Sequence, residues 1–186
     1  LPAMKAVGFG GEACPPTIPQ RWASQFRLID MYGPTEATVT ALTKTLAAGT
    51  RPTIGQAIDG MQAVILDRHG AVCPVGVPGE LCLAGLGLAR GYLNQPERTA
   101  EAFREHDLAG VKVRMYHTGD RARLLANGEY EYLGRLDAQI KLRGYRIEPG
   151  EIEAQLHASC SSLQEIKVLV VTQGTRQALV AYATVT

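Results

Sequence analysis

MYGPTEATVT, residues 31–40, sets an aromatic ring ahead of a Gly-Pro turn and follows the turn with a hydroxyl, a carboxylate and a short β-branched run. Gly33-Pro34 forms a tight turn, and Tyr32 presents a flat face beside it. Thr35 supplies a hydroxyl, and Glu36 supplies a hard oxygen ligand of the kind Mg2+ prefers. Those parts suit a nucleotide, with the ring against a base, the hydroxyl on a phosphate and the carboxylate on a metal. An ordinary β-turn uses the same residues, so the pentapeptide leaves both readings open.

Before this stretch, KAVGF (5–9) reads as a short buried strand ending in glycines. TIPQRWASQF (17–26) has helical spacing, with Thr17 as the N-cap and Ile18, Trp22, Ala23 and Phe26 on one side. RLIDMYGP (27–34) reads as strand into turn. Strand, helix and strand in that order predict the end of a parallel α/β layer over residues 1–50.

The character changes after residue 50. AVILDRHGAVCPVGVPGELCLAG (63–85) holds short strands broken by turn residues, and Asn127-Gly128 in VRMYHTGDRARLLANGEYEYLGRL (113–136) is a strong hairpin signal. Residues 51–136 therefore read as antiparallel β, a small barrel or sandwich. NQPERTAEAFREH (94–106) between them reads as a short helix capped near Thr99. From Asp137 the pattern is α+β: a hairpin, a helix from Pro149 favoured by Glu148, Glu151 and Glu153, and a strand pair around Gly174.

The composition is that of a globular protein, 46% hydrophobic and 20% charged. A net charge of +1 points to neither nucleic acid nor a membrane surface as partner. No apolar run approaches the roughly 20 residues of a membrane helix. Cys14, Cys73, Cys82 and Cys160 are scattered without a CxxC pair or a Cys/His cluster in sequence, so neither a zinc site nor a disulfide framework is expected, and a reducing cytoplasm is the default. The chain opens and ends on strand-like stretches, which reads as a piece of a longer polypeptide.

Two more stretches carry candidate chemistry. In YHTGDRARL (116–124), Asp120 stands at a strand–turn junction, where a carboxylate accepts hydrogen bonds from vicinal ribose hydroxyls or caps its own backbone in an Asx-turn. In GRLDAQIKLRGYRIEPGEIE (134–153), Arg135 and Asp137 sit at the change of composition, where a hinge belongs. GELCLAGLGLARGYLN (79–94) is rich in glycine but lacks the phosphate-loop patterns, and reads as structural.

In this order and spacing, GGEA, YGPTEATV, GELCLAGLGLARGYL, YHTGD and GRLDAQIKLRGYRIEPGEIE resemble the adenylation domain of nonribosomal peptide synthetases, within the adenylate-forming superfamily that includes acyl-CoA synthetases and firefly luciferase. The resemblance covers essentially the whole chain and corresponds to the C-terminal half of such a domain. YGPTE, LARGYL and KLRGYRIE favour the peptide-synthetase branch.

The resemblance implies an ATP- and Mg2+-dependent ligase of antibiotic and other secondary-metabolite biosynthesis. It would join an amino acid to AMP and pass the acyl group to the phosphopantetheine thiol of a peptidyl carrier domain. It places Tyr32 on adenine, Gly33 in the turn, Thr35 on phosphate and Glu36 on Mg2+. Asp120 and Arg135 fall at the ribose, and Tyr132 near the nucleotide. Gly8, Gly10, Met31, Val39 and Thr40 fall on the wall of a substrate pocket. Asp137 matches the hinge of a mobile C-terminal subdomain, residues 137–186, and LRGYR (142–146) matches a loop that rotation brings to the active site. Asp30 replaces the family's usual asparagine. His117 and Arg121 also depart from the commoner residues. The phosphate loop with its lysine, the aspartate that grips the substrate amine and the C-terminal lysine are not in these 186 residues, so the isolated chain is expected to be inactive. A small accessory protein or an inserted domain are further expected partners. The alternatives are a non-catalytic scaffold and an acyl-CoA ligase.

Overall fold

The computed structural model describes residues 4–50, 53–174 and 176–185. The chain divides into two compact units, residues 1–136 and 137–186. Arg51 and Pro52, at the expected first boundary, lie outside the described residues.

The first unit opens with β1 (Ala6–Gly10), α1 (Thr17–Trp22) and β2 (Arg27–Tyr32), followed by β3 (Leu42–Leu46) and β4 (Gln56–Ala57). β1 and β2 run parallel across the helical connection, with Gly10 beside Met31, and β3 and β4 add antiparallel strands. The layer is thus mixed. Thr17 is the first helical residue; Pro16 occupies the cap position and no side chain caps the helix. α1 lays Ile18, Trp22 and Ala23, with Phe26 beyond it, over Cys14, Leu28 and Leu46.

A second sheet holds β5 (Met61–Leu66), β6 (Gly79–Gly85), β7 (Phe103–Leu108), β8 (Val111–Leu124) and β9 (Tyr130–Arg135), all paired antiparallel. Its pairing path is β5-β6-β8-β7, with β9 on another part of the long β8. Among the described residues no ladder joins β5 to β7 or β9, so the unit has an open five-stranded sheet rather than a barrel closed by hydrogen bonds. The β8–β9 turn forms at Asn127-Gly128: Gly128 has φ 80°, and the Asn127 side chain accepts the Glu129 amide at 3.2 Å.

The expected helix over 94–106 is shorter. α2 spans Pro96–Ala102 and starts behind Gln95, so Thr99 lies inside it. Its hydroxyl accepts the Tyr92 amide at 2.9 Å and donates to the Gln95 carbonyl at 2.8 Å. FREH becomes β7 because Phe103 is buried and pairs opposite Tyr116 on β8. The two sheets share one core, in which Tyr32, Ala41 and Leu42 meet Ile65, Leu81, Leu83 and Ala122. Each large side chain so buried contributes about 1.5–3 kcal/mol. This shared core brings the end of β2 to β8.

The second unit contains the hairpin β10 (Ile140–Leu142) and β11 (Tyr145–Ile147), α3 (Pro149–Ser159), and the hairpin β12 (Leu163–Gln173) and β13 (Arg176–Val185). Pro149 stands in the first turn of α3 behind the cap residue Glu148, with Glu151 near the start and His157 in the last turn, matching the helix dipole. Glu153 ties α3 to β12 by accepting the Val168 amide at 2.8 Å and pairing with Lys167 at 3.2 Å. The β12–β13 turn falls at Gly174, φ 60°; Thr175 lies outside the described residues.

Candidate nucleotide site

Three strands converge on one carboxylate. Asp120 on β8 is 3% exposed. Its Oδ2 accepts the Tyr32 hydroxyl from the end of β2. Its Oδ1 accepts Arg135 Nη1 from β9 at 2.9 Å, and the same nitrogen donates to the Thr118 carbonyl at 2.6 Å. Asp120 and Arg135 are direct cross-strand partners. Thr118, also buried, donates from its hydroxyl to the Leu81 carbonyl at 2.7 Å and accepts the Asp120 amide at 2.9 Å. Asp120 is therefore an ionic, hydrogen-bonded group rather than an Asx-turn cap. Burial, then the charge of Asp120, pushes the Tyr32 hydroxyl well above its ordinary range, so it stays a donor.

The turn after β2 holds the second carboxylate. Gly33 is required by close approach: a Cβ there would lie 2.7 Å from both the Ala41 nitrogen and the Val39 oxygen. Thr35–Ala37 then make a 3-10 turn, and Thr38 and Val39 leave it with left-handed backbones, φ 58° and 66°. Glu36 is 7% exposed. Its Oε1 accepts the Tyr92 hydroxyl at 2.6 Å, and its carbonyl accepts the Ala89 amide at 2.8 Å. Burial, then the bond to Glu36, raises the Tyr92 hydroxyl above its ordinary range. Tyr132 packs against the same core as Tyr32.

Thus Tyr32, Asp120 and Arg135 are joined directly, and Gly33, Thr35 and Glu36 follow Tyr32 in the adjoining turn. Gly8, Gly10 and Met31 also come together, because β1 and β2 are paired: a Cβ on Gly8 would meet the tip of Met31 at 2.8 Å. Val39 and Thr40 sit in the outgoing turn; Val39 is 68% exposed, so it packs no core. Asp137 is exposed at the start of the second unit, and its side chain accepts the Gln139 amide at 3.0 Å. LRGYR forms the β10–β11 turn, with Arg143 and Gly144 at φ 53° and 78°.

The sequence profile of the AMP-binding enzymes matches residues 1–93, half of the chain. The chain belongs to the AMP-binding enzyme family. Within it, the chain is 47% identical over 156 residues to bacitracin synthase 3 of Bacillus licheniformis, covering 84% of this chain and 2% of that protein. It is 45% identical over 175 residues to a linear gramicidin synthase polypeptide of Brevibacillus parabrevis, covering 94% and 2%. A plipastatin synthase polypeptide of Bacillus subtilis is 48% identical over 97% of this chain and 7% of its own length. The chain therefore spans a few per cent of the length of these curated relatives. A solved nonribosomal peptide synthetase protein containing adenylation and PCP domains superposes with a TM-score of 0.84 at 29% identity, over 98% of this chain and 38% of that one. A four-domain synthetase bound to AMP and glycine superposes with a TM-score of 0.68 at 36% identity, over 97% and 14%. The chain corresponds to the C-terminal part of an adenylation domain, as its motifs implied.

Motif reading missed three contributors to the candidate site. Tyr92 and Thr118 lie inside quoted motifs but show their roles only through partners 56 and 37 residues away. The third is a cluster: Glu80, Cys82 and His117 place their ligand atoms within 4.8 Å of one another. The absence of a Cys/His cluster in sequence did not carry into space, because strand register sets Cys82 opposite His117. The arrangement works as a hydrogen-bond chain. His117 Nδ1 lies 2.8 Å from Glu80 Oε2, and its Nε2 lies 2.8 Å from His106 Nε2. Burial keeps the fully enclosed Cys82 a neutral thiol by raising it far above the usual range. All four cysteines are free.

Proposed function

We propose that the chain is part of an amino-acid-activating adenylation domain, one that uses ATP and Mg2+ to form an aminoacyl-adenylate and passes it to a carrier-domain phosphopantetheine thiol. The observation that carries this reading is the Tyr32–Asp120–Arg135 constellation, assembled from three strands beside the turn that holds Glu36.

Asp120 binds the ribose hydroxyls in this reading. Its two oxygens each have one donor from the chain and lone pairs left for a diol. Arg135 fixes the carboxylate in direction through its ion pair. Tyr32, buried with its hydroxyl tied to Asp120, adjoins the adenine in this reading. Thr35 meets phosphate. Glu36 fits a metal carried on substrate phosphates, since Mg2+ so bound takes only one or two protein carboxylates. Mg2+, when bound, neutralises phosphate charge. Gly8, Gly10, Met31, Val39 and Thr40 line the acyl pocket in this reading, with Met31 packed over both glycines and a medium or large side chain as the expected substrate group. Residues 137–186 form the start of the mobile subdomain, hinged at Asp137. Its partners are the amino acid and a peptidyl carrier domain.

ATP–pyrophosphate exchange with pooled amino acids tests this, on the chain alone and on a version extended at both ends. Exchange is expected only from the extended version. Acceptance of coenzyme A in place of carrier protein would turn the reading to an acyl-CoA ligase. Loss of exchange in the extended version, with nucleotide binding also gone, would leave a scaffold.

A further inference from the structure

We infer that Glu80 is a positioning residue for Asp120, acting through the Gly119 bulge; the consequence for nucleotide rests on the ribose role proposed above. The β6–β8 pairing shifts register between Glu80 and Cys82, and the β8–β9 pairing shifts between Asp120 and Ala122. Within the first of these shifts, which spans residues 117–121 of β8, Gly119 adopts φ 68°, a left-handed conformation that disrupts a regular strand. An amide turned out of a ladder needs another acceptor. Glu80 Oε1 supplies it at 3.0 Å.

The other oxygen of Glu80 is held too. Oε2 faces His117 Nδ1 at 2.8 Å, and His117 Nε2 faces His106 Nε2 at 2.8 Å. Two arrangements of protons satisfy both contacts: in each, Nδ1–H of His117 donates to Glu80, and His117 Nε2 either accepts from His106 Nε2–H or, in the imidazolium, donates to it. Burial raises the Glu80 carboxyl, but the bond to His117 and its charge outweigh that and hold it below its ordinary value. Glu80 is thus ionised, braced on one side and gripping the bulge on the other. The residues flanking the bulge feel the grip directly. Thr118 Oγ1 bridges the Leu81 carbonyl and the Asp120 amide, and the Leu136 amide donates to the Gly119 carbonyl at 2.8 Å. The direction of the Asp120 carboxylate is therefore set from β6 as well as by Arg135 and Tyr32.

The test compares Glu80→Ala, Glu80→Gln and Asp120→Asn in the version extended at both ends. The readouts are the Gly119 amide signal by NMR and Mg·ATP affinity by titration. Glu80→Ala is expected to move the Gly119 amide to the position of an unbonded group and to weaken Mg·ATP by about tenfold or more, as loss of a charge-assisted bond implies. Glu80→Gln keeps an acceptor for Gly119 and a partner for His117, so it should restore the amide signal and most of the affinity. A Gly119 amide and an affinity unchanged in Glu80→Ala would overturn the inference. If Glu80→Ala does not fold, Glu80→Asp, too short to reach both partners, gives the same reading. If the unmodified extended version and Asp120→Asn bind ATP equally poorly, the nucleotide role of Asp120 fails, and the Gly119 amide alone decides whether Glu80 holds the bulge.

Discussion

Asp120 is nearly enclosed, and its charge is compensated by one guanidinium and one hydroxyl. Removing Arg135 leaves that charge buried without its cation. Arg135→Ala should lower the stability of the first unit by about 3–5 kcal/mol, read from urea unfolding. Tyr32→Phe removes only a hydroxyl donor and should cost about 1–2 kcal/mol, with the ring kept in the core; equal losses in the two variants would contradict this ranking. Asp30 behaves in the opposite sense. It is buried between Phe9 and Lys44 in the sheet register, and burial lifts its carboxyl from 3.8 to about 6. The folded state therefore holds the proton more tightly than the unfolded chain. Its contribution is most favourable below the unfolded value and is lost as pH rises through about 6. Asp30→Asn should stabilise the chain at pH 8 by up to about 3 kcal/mol, and the gain should vanish near pH 4. Unfolding midpoints at both pH values check it, and an equal gain at both would refute it.

Gly33 lets the turn after β2 close against the backbone of residues 39 and 41. Gly33→Ala forces that backbone apart and should destabilise by about 1–3 kcal/mol, with loss of the Ala41–Tyr32 amide bond visible in hydrogen exchange. This turn was legible from five residues, because its chemistry is local, as was the Asn127-Gly128 hairpin. β7 was not. FREH has helical company on its N-terminal side, and only the pairing of Phe103 with Tyr116 makes it a strand. The Glu80–His117–His106 chain was hidden for the same reason, since its members come from three strands brought together by register. Tyr32, Asp120 and Arg135 could be named from motifs, but their mutual bonds, and the burial that gives those bonds weight, could not.

The two compact units differ in how much they enclose. Residues 1–136 hold three clusters of buried apolar side chains, whereas among the described apolar residues of 137–186 only Leu142, Pro149 and Val168 are buried. A unit of this size is marginal by surface-to-volume scaling. Amides of β10 to β13 should therefore exchange at lower denaturant than those of β6 and β8, and cleavage near Asp137 should leave residues 1–136 folded. A single cooperative step across both units would contradict this. No described helix is long and apolar enough to cross a membrane.

The two glycines of β1 stand in different relations to Met31. At Gly8 a new methyl would press on the flexible tip of the Met31 side chain, which can swing aside. At Gly10 it would lie 2.2 Å from the Met31 carbonyl oxygen, which is held in the parallel ladder and cannot move. Position 8 is thus open to evolutionary drift, with Met31 as its natural co-varying partner. Position 10 is frozen by the sheet itself, so change in β1 beside Met31 must travel through the first glycine and leave the second untouched.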